Sequence, residues 1–323
     1  MISLEISDNV DKKWNSRLIN SNLGTIYQTK EHGEYLFKIN ENPQFLKFLS
    51  SNGQIIGQLL LSSSSRFTNK TNRSKFLNKI PISKKILYKW TYGPIIFNSE
   101  YATEIYEKLG TYLHKQKIKI SGSEHPLSNN KAQLLEKKFN VISWSSFLID
   151  LNKSKTELYQ NIDKHSGRKN IERSIKRNVI IEEITDESFS DYINLLNKQR
   201  QADGTEIVDK EKMHIWWKTF RPIGLSGFLA KHEGELVGGM MFSFFNKYII
   251  EALVVRSSKD YLNKLYSQDL IKWNIIEWGI KNQMNYYDLA GVNPNPTSKK
   301  EIGILRYKKK WGGTKYNYHL LRN

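Results

Sequence analysis

Apolar positions along the chain follow two periods. Phe45-Leu46-Lys47-Phe48-Leu49 and Ile55-Ile56-Gly57-Gln58-Leu59-Leu60-Leu61 flank Ser51-Asn52-Gly53. Asn-Gly supplies the positive φ of a tight turn, so residues 45–61 read as a hairpin. Ile86 to Trp90 reads as a strand that breaks at Tyr92-Gly93-Pro94. Ile105, Leu109 and Leu113 recur at helical spacing and predict a helix over 100–115. Strands over 117–121 and 141–150 then enclose a short helix over 131–139. Residues 62–80 are rich in Ser, Thr, Asn and Lys and predict a mobile loop.

A similar succession follows. Leu158, Ile162, Ile171 and Ile175 form an apolar stripe that predicts a helix over 156–178, with Gly167 as a point of interruption. Helices are expected over 189–200 and 213–220. A hairpin is expected from 227–231 and 236–245 about Glu233-Gly234. A strand over 248–255, a helix over 265–281 with Trp273 and Trp278, and a strand over 286–289 complete it. The same order of elements in both halves implies an internal duplication of about 150 residues. The expectation is a mixed α/β chain of two domains, 1–149 and 150–323.

Composition narrows the chemistry. The 323 residues include no cysteine, which removes disulfides, thiolate metal sites and cysteine nucleophiles. The seven histidines show no metal-ligand spacing, so no metal is expected. A mean hydropathy of −0.57 and the lack of a long apolar run argue against a transmembrane span. The polar start, Met1 to Trp14, does not read as a secretory signal, so a cytoplasmic location is expected. The net charge of +18, from 50 Lys and Arg against 32 Asp and Glu, favours polyanions: nucleic acid, a nucleotide-linked substrate, or peripheral contact with an anionic membrane surface. A compositional bias toward Lys, Ile and Asn is the alternative account of such a charge.

The stretch 286–313 concentrates candidate chemistry. Tyr286-Tyr287-Asp288-Leu289-Ala290-Gly291-Val292 is a short strand expected to stop on a carboxylate and a glycine. Asn293-Pro294-Asn295-Pro296 reads as a loop. Arg306-Tyr307-Lys308-Lys309-Lys310-Trp311-Gly312-Gly313 is a basic aromatic segment. Together they make either an anion site or an edge strand, a loop and a solvated basic turn.

This stretch resembles the closing signature of the Fem family of peptidyltransferases, roughly Tyr-Asp-x-Gly-Gly and then Phe-Lys-x-x-Phe-Gly. Asp288, Gly291, Tyr307, Lys308, Trp311 and Gly312 fill those places. Gly24, Tyr27, Gln28 and Thr29 resemble the family's opening, although His32 stands where it has a tryptophan. The resemblance implies two tandem GNAT-like acyltransferase domains. The interval Gly204 to Gly227 is too short for the coiled-coil arm that some relatives carry.

The implied activity is transfer of an amino acid from aminoacyl-tRNA to an amine of a peptidoglycan-type or other nucleotide- or lipid-linked anionic envelope precursor. By resemblance Lys308 offsets the developing negative charge. Asp288 holds the attacking ammonium, acts as base, or merely caps a loop. Arg200 contacts a substrate phosphate, and Arg168, in a basic helical segment, is a further anion contact. Tyr307 and Gly291 border the site. Lys38 is the nearest lysine to a family substrate contact, which falls at Leu36 here. No Ser/His/Asp or Cys/His set is visible, so direct transfer is expected. Arg256 to Lys264, where a CoA-dependent relative carries a glycine-rich loop, has no glycine. That disfavours acetyl-CoA and leaves aminoacyl-tRNA as the co-substrate. An acyl-CoA-dependent N-acyltransferase of polysaccharide synthesis and a non-catalytic anion- or RNA-binding module remain the alternatives.

Overall fold

A computed structural model describes residues 2–66, 85–116, 119–128 and 131–323. They form two compact units, Met1–Ser143 with Asn317–Asn323, and Trp144–Tyr316.

Unit 1 contains β1 (Ser3–Ser7), α1 (Trp14–Ile19), α2 (Lys30–Lys38), β2 (Asn42–Leu49), β3 (Ile55–Arg66), β4 (Lys85–Lys89), β5 (Ile95–Ile96), α3 (Ala102–Lys115) and β6 (Lys119–Ser123). β2 and β3 form the hairpin expected, with Gly53 at φ 81° in its turn. β3 runs on through Arg66, past the point where the polar loop was expected to begin. The remainder of that loop, residues 67–80, lies outside the described residues. The sheet order is β1-β2-β3-β4-β6, and the pair β4–β6 is parallel. α3 is the crossover between them. Leu46, Phe48, Leu59, Ile105, Leu109 and Leu113 fill the core. The opening motif is structural here. The Gln28 carboxamide donates to Thr91 O at 2.8 Å and accepts from Leu60 N–H at 2.8 Å, tying the segment before α2 to β3. The Thr29 hydroxyl caps α2 by accepting from His32 N–H at 3.2 Å.

Unit 2 takes in most of β7 (Asn140–Asp150). It continues with α4 (Lys155–Asn161), a π-helical turn (Lys164–Arg168), α5 (Lys169–Lys176), β8 (Ile180–Glu183), α6 (Phe189–Ala202), α7 (Lys210–Gly224), β9 (Leu225–His232), β10 (Glu235–Phe245), β11 (Tyr248–Arg256), α8 (Ser258–Leu262), α9 (Ser267–Lys281), β12 (Tyr286–Val292) and α10 (Lys299–Lys309). The helix expected over 156–178 is broken at Ile162–Asp163 rather than at Gly167. There the Asp163 carboxylate accepts from the N–H groups of His165 and Ser166 and restarts the chain as a π-turn.

The sheet order is β7-β12-β11-β10-β9-β8, and again one pair, β11–β12, is parallel. α9 is its crossover. Two adjacent glycines show how both faces are covered. A Cβ on Gly238 would meet Ser267 Oγ of α9 at 2.5 Å, and one on Gly239 would meet the Tyr192 ring of α6 at 2.8 Å. Neighbouring strand residues point to opposite faces, so α6 and α9 lie on opposite sides.

The last strand, β13 (Thr314–Arg322), ends in unit 1. There Leu320–Arg322 pair antiparallel with Ser121–Ser123. Each unit is thus an antiparallel sheet with one parallel pair joined through a helix.

Candidate functional site

β11 and β12 pair in three rows only, ending at Ile250↔Asp288. Beyond that row the strands part, and a gap opens at the carboxyl ends of the parallel pair. Such an end is the usual ligand position in sheets of this kind. β12 itself bulges. Asp288 pairs with Leu148 and Gly291 with Ser146, so Leu289 and Ala290 stand opposite Phe147 alone. The strand does not stop at Gly291 as expected but continues to Val292. The left-handed position is Ala290, at φ 61°, and not the glycine.

Asp288 is fully buried. The Tyr248 hydroxyl donates to Oδ2 at 2.9 Å, Ala290 N–H donates to Oδ1 at 2.8 Å, and the Ser146 hydroxyl also reaches Oδ1. With three donors on a carboxylate shut off from solvent, Asp288 holds the bulge in shape. It is not placed to meet an incoming ammonium.

The basic aromatic segment, for which a solvated turn was one of two expectations, begins inside a helix, α10, and leaves it only after Lys309. The start of the helix was legible. In Ser298-Lys299-Lys300-Glu301 the serine hydroxyl accepts from Glu301 N–H at 3.2 Å and the glutamate reaches back to Ser298 N–H at 3.3 Å. This helix delivers Lys308 to the bulge. The buried ammonium donates to Ala290 O and Gly291 O, each at 2.9 Å. Burial pulls its pKa down to about 8, against the opposing pull of Glu251 and Asp288. Gly291 thus contributes its carbonyl to the lysine.

Beside it lies a buried network that the sequence reading missed. Lys272 of α9 pairs with Glu251 of β11, and the Tyr287 hydroxyl donates to the same carboxylate at 3.0 Å. The Lys272 ammonium lies 5.1 Å from the Tyr307 ring and 5.6 Å from the Trp311 ring. Lys310 approaches Tyr307 at 4.4 Å and pairs with Asp269. The available signal was a charge set in an apolar run, as in Ile249-Ile250-Glu251 and Leu270-Ile271-Lys272-Trp273.

Of these groups Glu251, Asp269, Tyr307 and Lys310 line a cleft of about 540 Å³, together with Arg256, Tyr261, Tyr266 and Gln268, whereas Lys272 and Lys308 lie behind its lining. Its rim is basic and aromatic: the Arg173 and Arg177 guanidiniums lie 5.7 and 5.6 Å from the Tyr266 ring. At the start of α9 the Asp260 carboxylate accepts from Ser267 N–H at 2.9 Å and pairs with Arg256. The helix N-terminus is therefore already occupied by an internal anion.

The remaining expected residues lie apart. Arg200 lies in the last turn of α6, next to Gln199, whose side-chain oxygen accepts from Arg256 N–H of β11 at 2.8 Å. Arg200 does not line the cleft. Its Nε is buried with no hydrogen-bond partner among the described residues, and the same is true of Arg168 at the end of the π-turn. Lys38 is exposed on the last turn of α2 in unit 1.

The parallel pair with its crossover helix, set in an antiparallel sheet and present twice, defines the class: a tandem GNAT fold. FemX shares it, with a TM-score of 0.71 over 98% of this chain and 96% of that one at 12% identity. So does the C-terminal domain of a putative lysylphosphatidylglycerol synthetase from Agrobacterium fabrum, with a TM-score of 0.58 over 96% of this chain and 90% of that one at 8% identity. A tandem GNAT protein of the clavulanic acid biosynthesis pathway matches at 0.55 over 99% and 98%, with 10% identity. At such identities the likeness is one of fold. No family model matches the chain, and no curated protein matches it in sequence. The mixed α/β tandem GNAT fold expected from the Fem resemblance is the fold found. α6 and α7 are joined by a short connection, with no coiled-coil arm among the described residues.

Proposed function

We propose that this protein is an aminoacyltransferase that moves an amino acid from aminoacyl-tRNA to an amine of a peptidoglycan-type or other envelope precursor. The observation that carries the reading is Lys308, a buried ammonium fixed on two carbonyls where β11 and β12 part. The acceptor amine attacks the ester carbonyl, a C–N bond forms, and the carbonyl oxygen takes up negative charge. The intermediate collapses as the C–O bond to the ribose breaks, and the amine's proton ends on the departing ribose oxygen. Two of the three Lys308 protons are engaged by Ala290 and Gly291, which leaves one for the oxyanion. Asp288 acts through the bulge as a positioning residue.

The donor assignment is supported by Asp260. A pyrophosphate-bearing donor would need the start of α9, and a carboxylate already stands there. The names of FemX and of the lysylphosphatidylglycerol synthetase are in keeping with transfer of aminoacyl groups. The partners inferred are aminoacyl-tRNA, drawn by the basic surface, and a nucleotide- or lipid-linked anionic precursor whose phosphate meets Arg200. Among the described residues no helix is long and apolar enough to cross a membrane. We infer a cytoplasmic enzyme in peripheral contact with the membrane surface.

Mass spectrometry of candidate precursors incubated with charged tRNA tests the reading. Mass increments of one aminoacyl residue, lost in Lys308→Met, are expected. Transfer from acyl-CoA in place of charged tRNA would overturn it.

A further inference from the structure

The cleft of unit 2 holds two orphaned polar atoms. The Tyr307 hydroxyl and the Gln268 side-chain oxygen are both buried, and neither has a hydrogen-bond partner of ordinary geometry among the described residues. Both residues line the cleft. The orientation of Gln268 is fixed, because its NH₂ donates to Val255 O at 2.6 Å and so turns its oxygen the other way. The aromatic faces of Tyr307 are taken by Lys310 at 4.4 Å and Lys272 at 5.1 Å. Its hydroxyl meets only the Trp311 indole N–H, itself a donor, so the hydroxyl's own proton has no acceptor among the described residues. A buried polar atom left unpaired costs about 1–3 kcal/mol, and a phenylalanine would fill the same place without that cost. The Fem signature itself has phenylalanine at this position. The hydroxyl is therefore an addition that weakens the empty protein and is satisfied only by something entering the cleft.

We propose that Tyr307 and Gln268 form a two-point reader for the aminoacyl group, with the tyrosine hydroxyl donating to its carbonyl and the glutamine oxygen accepting from its α-amine. A tyrosine hydroxyl is a donor and an unpaired amide oxygen is an acceptor, so the pair matches a group that presents one acceptor and one donor. The flanking charges, Lys272 with Glu251 and Lys310 with Asp269, are mutually paired, so the reader is close to neutral. This inference rests on the aminoacyl-tRNA reading and names the residues that select its donor.

The test uses hydrolysis-resistant 3′-aminoacylamino-3′-deoxyadenosines bearing each of the common amino acids, titrated calorimetrically into the full chain. For the tightest of them, counterparts lacking the carbonyl oxygen or the α-amine are compared. Tyr307→Phe is expected to weaken the intact ligand roughly ten-fold and to leave the carbonyl-free ligand unchanged. Its melting temperature without ligand should equal or exceed that of the parent, which a merely structural tyrosine would not allow. Gln268→Met should weaken the intact ligand but not the one lacking the amine. If the parent binds intact ligands and Tyr307→Phe binds them equally well, the reader is refuted while the aminoacyl reading stands. If the parent binds none of them, the donor assignment fails and the reader with it.

Discussion

Lys308 directs two of its protons at the β12 bulge while its own burial lowers its pKa to about 8. The ammonium is the form that offsets an oxyanion, so the transfer rate is expected to fall along an alkaline limb that begins near pH 8. Lys308→Met should lower kcat by roughly 10²–10³-fold, leave substrate affinity nearly unchanged and abolish that limb. A parent rate that still climbs through pH 9 would refute the role. Stability carries the same group with its own sign. The folded pKa lies below the ordinary 10.5, so between those values the folded protein binds fewer protons than the unfolded chain. The contribution of Lys308 to stability therefore rises with pH across that window and is lowest below about 8. Arg200 belongs to a different kinetic parameter. If it holds a precursor phosphate, Arg200→Ala should weaken acceptor binding by about 1.5–3 kcal/mol with kcat little changed, as measured by initial rates. Lys308 was legible because a short motif marks it. Glu251 and Lys272 were not, since each sits alone in an apolar run and their partnership exists only once β11 and α9 are packed together.

At the scale of elements, the bulge of β12 places an alanine where glycine is the easier residue. Ala290→Gly relieves the left-handed strain at φ 61° and should raise stability by about 0.5–1 kcal/mol in chemical denaturation. The start of α9 is the second decisive element. Asp260→Ala removes the acceptor of Ser267 N–H and leaves Arg256 without its carboxylate, an expected loss of about 2–3 kcal/mol. In the parent, calorimetric titration with acetyl-CoA should show no binding; micromolar affinity would sink the donor assignment. The absence of glycine from 256–264 pointed the same way from sequence alone, but the carboxylate that occupies the helix start is a tertiary feature. α10 is written in its capping box, but its basic face lacks an apolar stripe that would announce a helix. The hairpins and α3, with clear periods and turn residues, were readable without the fold.

At the scale of the molecule, the repeat was legible in the order of elements, but no local pattern announced where β13 would end. Its last residues complete unit 1. Leu321 joins that core, and the buried Glu124 carboxylate accepts from His319 N–H at 3.1 Å and meets His319 Nδ1 at 2.8 Å. Deleting 317–323 should cost unit 1 about 3–5 kcal/mol or more, because it leaves that carboxylate buried without its histidine. A melting curve that is unchanged by the deletion would refute the dependence. The arrangement also sets a timetable for synthesis. At about 5–20 residues per second, a ribosome that has just made residue 143 needs on the order of 10–35 seconds more to reach residue 317. The unit begun first therefore waits, with an open sheet edge at β6, until the unit begun second has been made. A chaperone that shields nascent strands has its longest engagement there. Chains stalled at residue 316 should remain protease-sensitive in residues 2–143 while residues 144–316 already resist cleavage.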